Sequence, residues 1–169
     1  MNRSEIENRA KEILQKHGLF SIPIDPVLLA NKEGIIIHNA IFSDDGISGM
    51  VAKRGASITM LVNQSDSPAR KRFSIAHELG HHFLHLMEDG ELVTRKTDLF
   101  RGYGGESVKT SDPDKRKEVE ANQFAAAILM PEELVKKEFE KKPDVVSLAV
   151  TFNVSEEAIG IRLGSLGLL

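Results

Sequence analysis

No cysteine occurs among the 169 residues, which excludes disulfide stapling and thiolate ligation, so a bound metal would have to be held by histidine and carboxylate. No apolar run approaches the length of a membrane span. The N-terminus, Met1-Asn2-Arg3-Ser4-Glu5, also lacks the basic-then-apolar order of a secretory leader. These absences predict a soluble, cytoplasmic chain without a membrane partner. An excess of positive charge is missing too. At a net charge of −3 there is no global attraction to nucleic acid or acidic lipid, although a local basic patch stays compatible with it. No internal repeat or low-complexity tract breaks the chain. With 41% apolar and 28% charged residues it can bury a core, in one domain with a small appendage.

Helical spacing of Ile6, Ala10, Ile13 and Leu14 before Gly18 predicts an amphipathic helix over 4–17. Asp25-Pro26 caps a short second helix that Gly34 ends, and Ile35-Ile36-Ile37 reads as a buried strand. Two further strands, 47–52 and 58–62, form a hairpin around Lys53-Arg54-Gly55. Ser67-Pro68 then opens a helix to about Met87, interrupted only by Gly80. Glycine inside a helix costs about 1 kcal/mol relative to alanine, so this one implies a close approach of another backbone. The polar stretch 88–111, with four glycines and the single tyrosine, Tyr103, reads as a long mobile loop with a functional role. Ser111-Asp112-Pro113 starts a helix to Met130, where Pro131 breaks it, and 132–142 is a charged helix.

The chemistry lies in His77-Glu78-Leu79-Gly80-His81, an HExxH pattern. Four-residue spacing puts both imidazoles on one helical face a turn apart, so both reach one tetrahedral ion, while Glu78, displaced round the cylinder, faces a water on that ion as general base. Chance produces the pattern in on the order of two such chains in a hundred, so the surroundings must support it. Catalytic zinc usually takes three protein ligands. The extended HExxHxxGxxH form is absent, because Leu84 and Met87 stand at its Gly and His positions. His85 lies roughly 6 Å further along the helix and His82 points about 100° away, which makes both surface or supporting residues. His17 and His38 carry no motif. A carboxylate on the 113–130 helix is the remaining source. About its apolar stripe, Glu118 falls nearer the packed side than Glu120, and Ala121 and Ala125 would let the two helices approach closely. Glu118 is therefore favoured as third ligand with Glu120 as the alternative, and Asn122 can hydrogen-bond a ligand from outside.

The run Arg72-Phe73-Ser74-Ile75-Ala76-His77-Glu78-Leu79-Gly80-His81, followed after a polar interval by Glu118-Val119-Glu120-Ala121-Asn122-Gln123-Phe124 to Met130-Pro131, resembles the ImmA/IrrE family of metallo-endopeptidases. Pro23-Ile24-Asp25-Pro26 and Leu29-Ala30 extend the likeness. It implies an α+β zinc-peptidase-like domain over 1–142, with a small twisted sheet packed on the HExxH helix and a second ligand-bearing helix. One zinc ion, or another divalent metal such as manganese, would be held by His77, His81 and Glu118, with the glutamate in the ExxA context of that layout and Glu78 catalytic. The resemblance also implies a protein substrate, a helix-turn-helix repressor of a mobile element or stress regulon. Tyr103, His82 and His85 are candidate donors to the developing oxyanion. Substrate could add as a strand to an exposed edge of the 46–63 hairpin.

Residues 143–169 form a small C-terminal module with helix-turn-helix spacing, in which Asn153 supplies a left-handed turn and Ser155 caps the second helix. That helix opens Ser155-Glu156-Glu157 and carries one base, Arg162, which opposes docking on phosphates. Packing or repressor docking is the favoured role, with direct DNA binding disfavoured. Arg70-Lys71-Arg72 reads as a solvated face. A non-proteolytic regulator that sequesters a repressor is the remaining alternative.

Overall fold

The computed structural model describes residues 1–85, 89–96 and 112–169. Its elements run α1 (Arg3–Lys16), α2 (Pro26–Lys32), β1 (Ile36–Ala40), β2 (Ile47–Arg54), β3 (Ser57–Asn63), α3 (Pro68–Leu84), β4 (Gly90–Arg95), α4 (Pro113–Leu129), α5 (Glu132–Lys141), α6 (Val145–Phe152) and α7 (Glu156–Ser165). The fold is α+β, with a sheet of order β1-β3-β2-β4 backed by α3. β1 runs parallel to β3, and the β2–β3 and β2–β4 pairs are antiparallel.

Local sequence explains most boundaries. Asp25, Ser67, Asp112, Asp144 and Ser155 each accept a backbone N–H in the first turn of their helix. Pro26, Pro68 and Pro113 sit where a missing N–H costs nothing. Gly55 at φ +58° turns the β2–β3 hairpin, and Asn153 at φ +53° separates α6 from α7. The α3 helix stops at Leu84, short of Met87, and Leu86, Met87 and Glu88 lie outside the described residues.

Three expectations need correction. Part of the supposed 88–111 loop is β4. In Glu91-Leu92-Val93-Thr94-Arg95 the more buried and the exposed positions alternate, and Thr94 on the inner face reaches Glu78 of α3, a period of two that polar composition conceals. The rest of that stretch, including Tyr103, lies outside the described residues. The hairpin offers no free edge, because β1 and β4 flank it, and among the described residues these two are the sheet's outer strands. The run Ile35-Ile36-Ile37 is buried only at Ile35. Ile36 is 53% exposed, since β1 is an edge strand.

α3 and α4 pack against each other at a point of backbone contact. A Cβ on Gly80 would stand 2.8 Å from Ala121 Cα and 3.0 Å from its carbonyl oxygen, so only glycine fits. α1 covers another side of α4. The core extends from Ile6, Leu14 and Leu29 through Phe73, Leu79 and Phe124 to Phe152 and Leu163. At the C-terminal end, buried Arg162 donates to Met130 O and pairs with Glu7, and Arg3 donates to Ser165 O, so the last helix is bonded to the first.

Candidate metal centre

His77 and His81 lie on the side of α3 that faces α4, where both are buried. Their Nε2 atoms are 3.1 Å apart. Glu118, in the second turn of α4, places Oε2 3.2 Å from His77 Nε2 and Oε1 3.3 Å from His81 Nε2. Three donors bonded at 2.0–2.1 Å in a tetrahedron stand about 3.3 Å apart, so this spacing suits one zinc-sized ion. Glu118 Oε2 is buried and finds no aligned hydrogen bond despite that contact. Ligands aimed at a common point rather than at one another leave such an orphan. Among the described residues this is the group whose three donors fall within 4.8 Å of one another.

Supporting contacts set the ring orientations. Asn122 Oδ1 lies 2.8 Å from His77 Nδ1, which puts the proton on Nδ1 and leaves the Nε2 lone pair for a cation. His81 Nδ1 meets His85 Nδ1 at 3.2 Å, and His85 Nε2 meets Glu120 Oε2 at 3.0 Å. Glu120 is thus turned away from the His77–His81 pair and supports it through His85. The helical wheel misjudged burial here. Glu120 is the more buried carboxylate, with a side chain 12% exposed against 27% for Glu118, because α4 has a second packed side that the His85 contact and the amino terminus close.

Glu78 is fully buried beside the pair. Its Oε1 accepts a hydrogen bond from Thr94 at 2.5 Å, and its Oε2 has no partner among the described residues. Burial raises the Glu78 carboxyl above the ordinary range, against the pull of the two imidazoles. Glu118 goes the other way. Burial opposes ionisation there too, but contacts with His77 and His81 hold its carboxyl well below the usual range. The His77 imidazole is lowered by burial yet raised on balance, first by Glu118 and then by the Glu78 charge.

The other histidines are dispersed. His82 Nε2 faces Glu33 Oε2 at 3.3 Å and His17 Nε2 faces Glu33 Oε1 at 2.7 Å, so one carboxylate joins the ends of α1 and α2 to α3. His38 is exposed on β1. Sequence reasoning missed Thr94 altogether. The alternation of Leu92 and Thr94 with Val93 and Arg95 was the available signal.

A family model described as Peptidase_M78, IrrE N-terminal-like domain, matches residues 30–164. The radiation response metalloprotease IrrE of Deinococcus radiodurans is 35% identical over 82 residues, covering 48% of this chain and 22% of that protein. A Mycobacterium tuberculosis transcriptional regulator of known structure superposes with a TM-score of 0.66 at 18% identity, covering 95% of this chain and 46% of the regulator. At that identity the likeness is one of fold. The chain spans about a fifth of the first relative and under half of the second.

Proposed function

The chain belongs to the Peptidase_M78 family, that of the IrrE N-terminal-like domain, and on that premise we propose that it is a cytoplasmic zinc-dependent endopeptidase acting on a regulatory protein. The observation that carries this reading is the buried Glu78, with one oxygen unpartnered among the described residues, next to three donors spaced for one ion.

His77, His81 and Glu118 would hold the metal. Zinc at such a position supplies a Lewis acid for the scissile carbonyl and lowers the pKa of a water to about 7. Glu78 takes the proton of the attacking water at Oε2 and returns it to the leaving amine nitrogen. Its raised proton affinity suits both halves of that exchange. Asn122 keeps His77 in the ligating tautomer, and His85 with Glu120 steadies His81. The outer side of β4, the edge strand that bears Thr94, is the place for an extended substrate to add as a strand. That geometry selects an extended or locally unfolded segment. The substrate we favour is a helix-turn-helix repressor of a mobile element or stress regulon, encoded beside the chain's own gene.

Zinc-loaded protein mixed with that repressor should produce discrete fragments, and chelation should stop their appearance. A stable complex that is never cut would instead establish sequestration without proteolysis.

A further inference from the structure

We propose that Thr94 is a positioning residue for Glu78: its hydroxyl occupies one oxygen of the base and so presents the other for proton transfer. The inference rests on Glu78 being the general base. Thr94 is 1% exposed and lies on the inward face of β4, opposite Gly49 of β2. Its Oγ1 donates to Glu78 Oε1, whereas Oε2 has no partner among the described residues. A buried carboxylate with neither oxygen satisfied would turn towards any donor within reach. A single donor from the strand fixes its rotation and leaves one basic oxygen. β-Branching at Thr94 restricts χ1 and holds the hydroxyl in place.

The strand itself is anchored where this matters. The β2–β4 register shifts between Ile47 and Gly49, so Ser48 is the extra residue of a bulge just beside Thr94. Ser48 Oγ donates to Asp66 Oδ2 at 2.7 Å and lies 2.9 Å from Ser74 Oγ, one helical turn before Glu78. Two residues past Thr94, Lys96 pairs with Asp66 Oδ1 at 3.1 Å and its backbone N–H donates to Gly46 O. Buried polar contacts therefore tie β2, β4 and α3 together next to the base, and Thr94 is the member of this set that touches it.

Thr94→Val keeps the side-chain shape and removes the donor, and Thr94→Ser restores it. Thr94→Ala is the second hydroxyl-free variant should valine not fold. In isotope-edited infrared spectra of metal-free protein carrying carboxyl-labelled glutamate, the Glu78 band is the one lost in Glu78→Gln. It should shift in the hydroxyl-free variants and return in Thr94→Ser, with zinc stoichiometry unchanged throughout. Loaded with zinc and assayed on fluorescein-labelled unfolded casein, the hydroxyl-free variants should lose about ten- to a hundredfold in kcat at unchanged KM, the scale set by a misplaced catalytic group. Thr94→Ser should recover most of it. A Glu78 band that does not move in the hydroxyl-free variants overturns the inference whatever the activity. A shifted band with wild-type protein inert towards both casein and the repressor supports the Thr94 contact and counts against the peptidase reading instead.

Discussion

Glu78 and Glu118 sit beside the same two imidazoles and are driven in opposite directions. Glu118 has two nitrogens in contact and stays ionised, while Glu78 has one hydroxyl, full burial and a raised proton affinity. On the proposed function, that division separates ligand from base. Replacing His77 or His81 by alanine should abolish stoichiometric zinc in atomic-absorption measurements, whereas Glu78→Gln should keep zinc and fold but lose hydrolysis. Full peptidase activity in pure Glu78→Gln protein would end this mechanism. Between the two glutamates of α4, Glu118→Ala removes the proposed ligand, whereas Glu120→Ala removes the support behind His85 and the contact with the amino terminus. The second change should weaken zinc binding by about ten- to a hundredfold and the first by far more, as titration against a chromogenic chelator would measure. Equal losses would refute the assignment. The HExxH spacing made three of these residues legible, because helical periodicity alone brings His77 and His81 together. The wheel also favoured Glu118 over Glu120, but the deeper burial of Glu120 was out of its reach, because α4 is covered on a second side that no wheel drawn for a single helix contains.

At the scale of elements, the site depends on how near α3 and α4 can come. Gly80→Ala sets two effects against each other: alanine favours the helix by about 1 kcal/mol, but its methyl would lie 2.8 Å from Ala121 Cα. Overpacking against backbone costs about 1–3 kcal/mol. The packing term should win, so the variant melts at lower temperature and binds zinc more weakly because its ligands come from both helices. A rise in melting temperature would contradict it. This contact was visible beforehand, since a glycine amid good helix formers signals a close neighbour. β4 was not, because Glu91, Arg95 and the nearby glycines disguise a strand of six residues. The clasp of His17 and His82 on Glu33 was equally hidden. Those residues are 16 and 49 positions apart from Glu33, and only the assembled helices bring them together.

Across the whole molecule, the expected helix, turn and helix over 148–163 are present as α6 and α7, with Asn153 left-handed between them and Ser155 capping α7. Its one base on α7 is nonetheless spent internally. Arg162, 2% exposed, holds Glu7 and the Met130 carbonyl. Arg72 is similarly engaged, bonded to the carbonyls of Ile24 and Asn153, so the basic triplet on α3 is only partly a solvated face. A gel-shift titration at moderate salt should show no sequence-specific duplex binding, and tight salt-resistant binding would contradict this. Arg162→Ala should destabilise by on the order of 3 kcal/mol through an unpaired Glu7, read as a lower denaturant midpoint, with zinc stoichiometry preserved in the folded fraction. The Gly80–Ala121 contact has one more consequence. Backbone packing at Gly80 and Ala121 fixes how far apart α3 and α4 stand, and with them His77, His81 and Glu118. Protein stripped of metal should therefore keep its far-ultraviolet circular dichroism and accept cobalt as a spectroscopic reporter in zinc's place, and a collapse of the helical signal on chelation would show that the ion, not this contact, holds the helices.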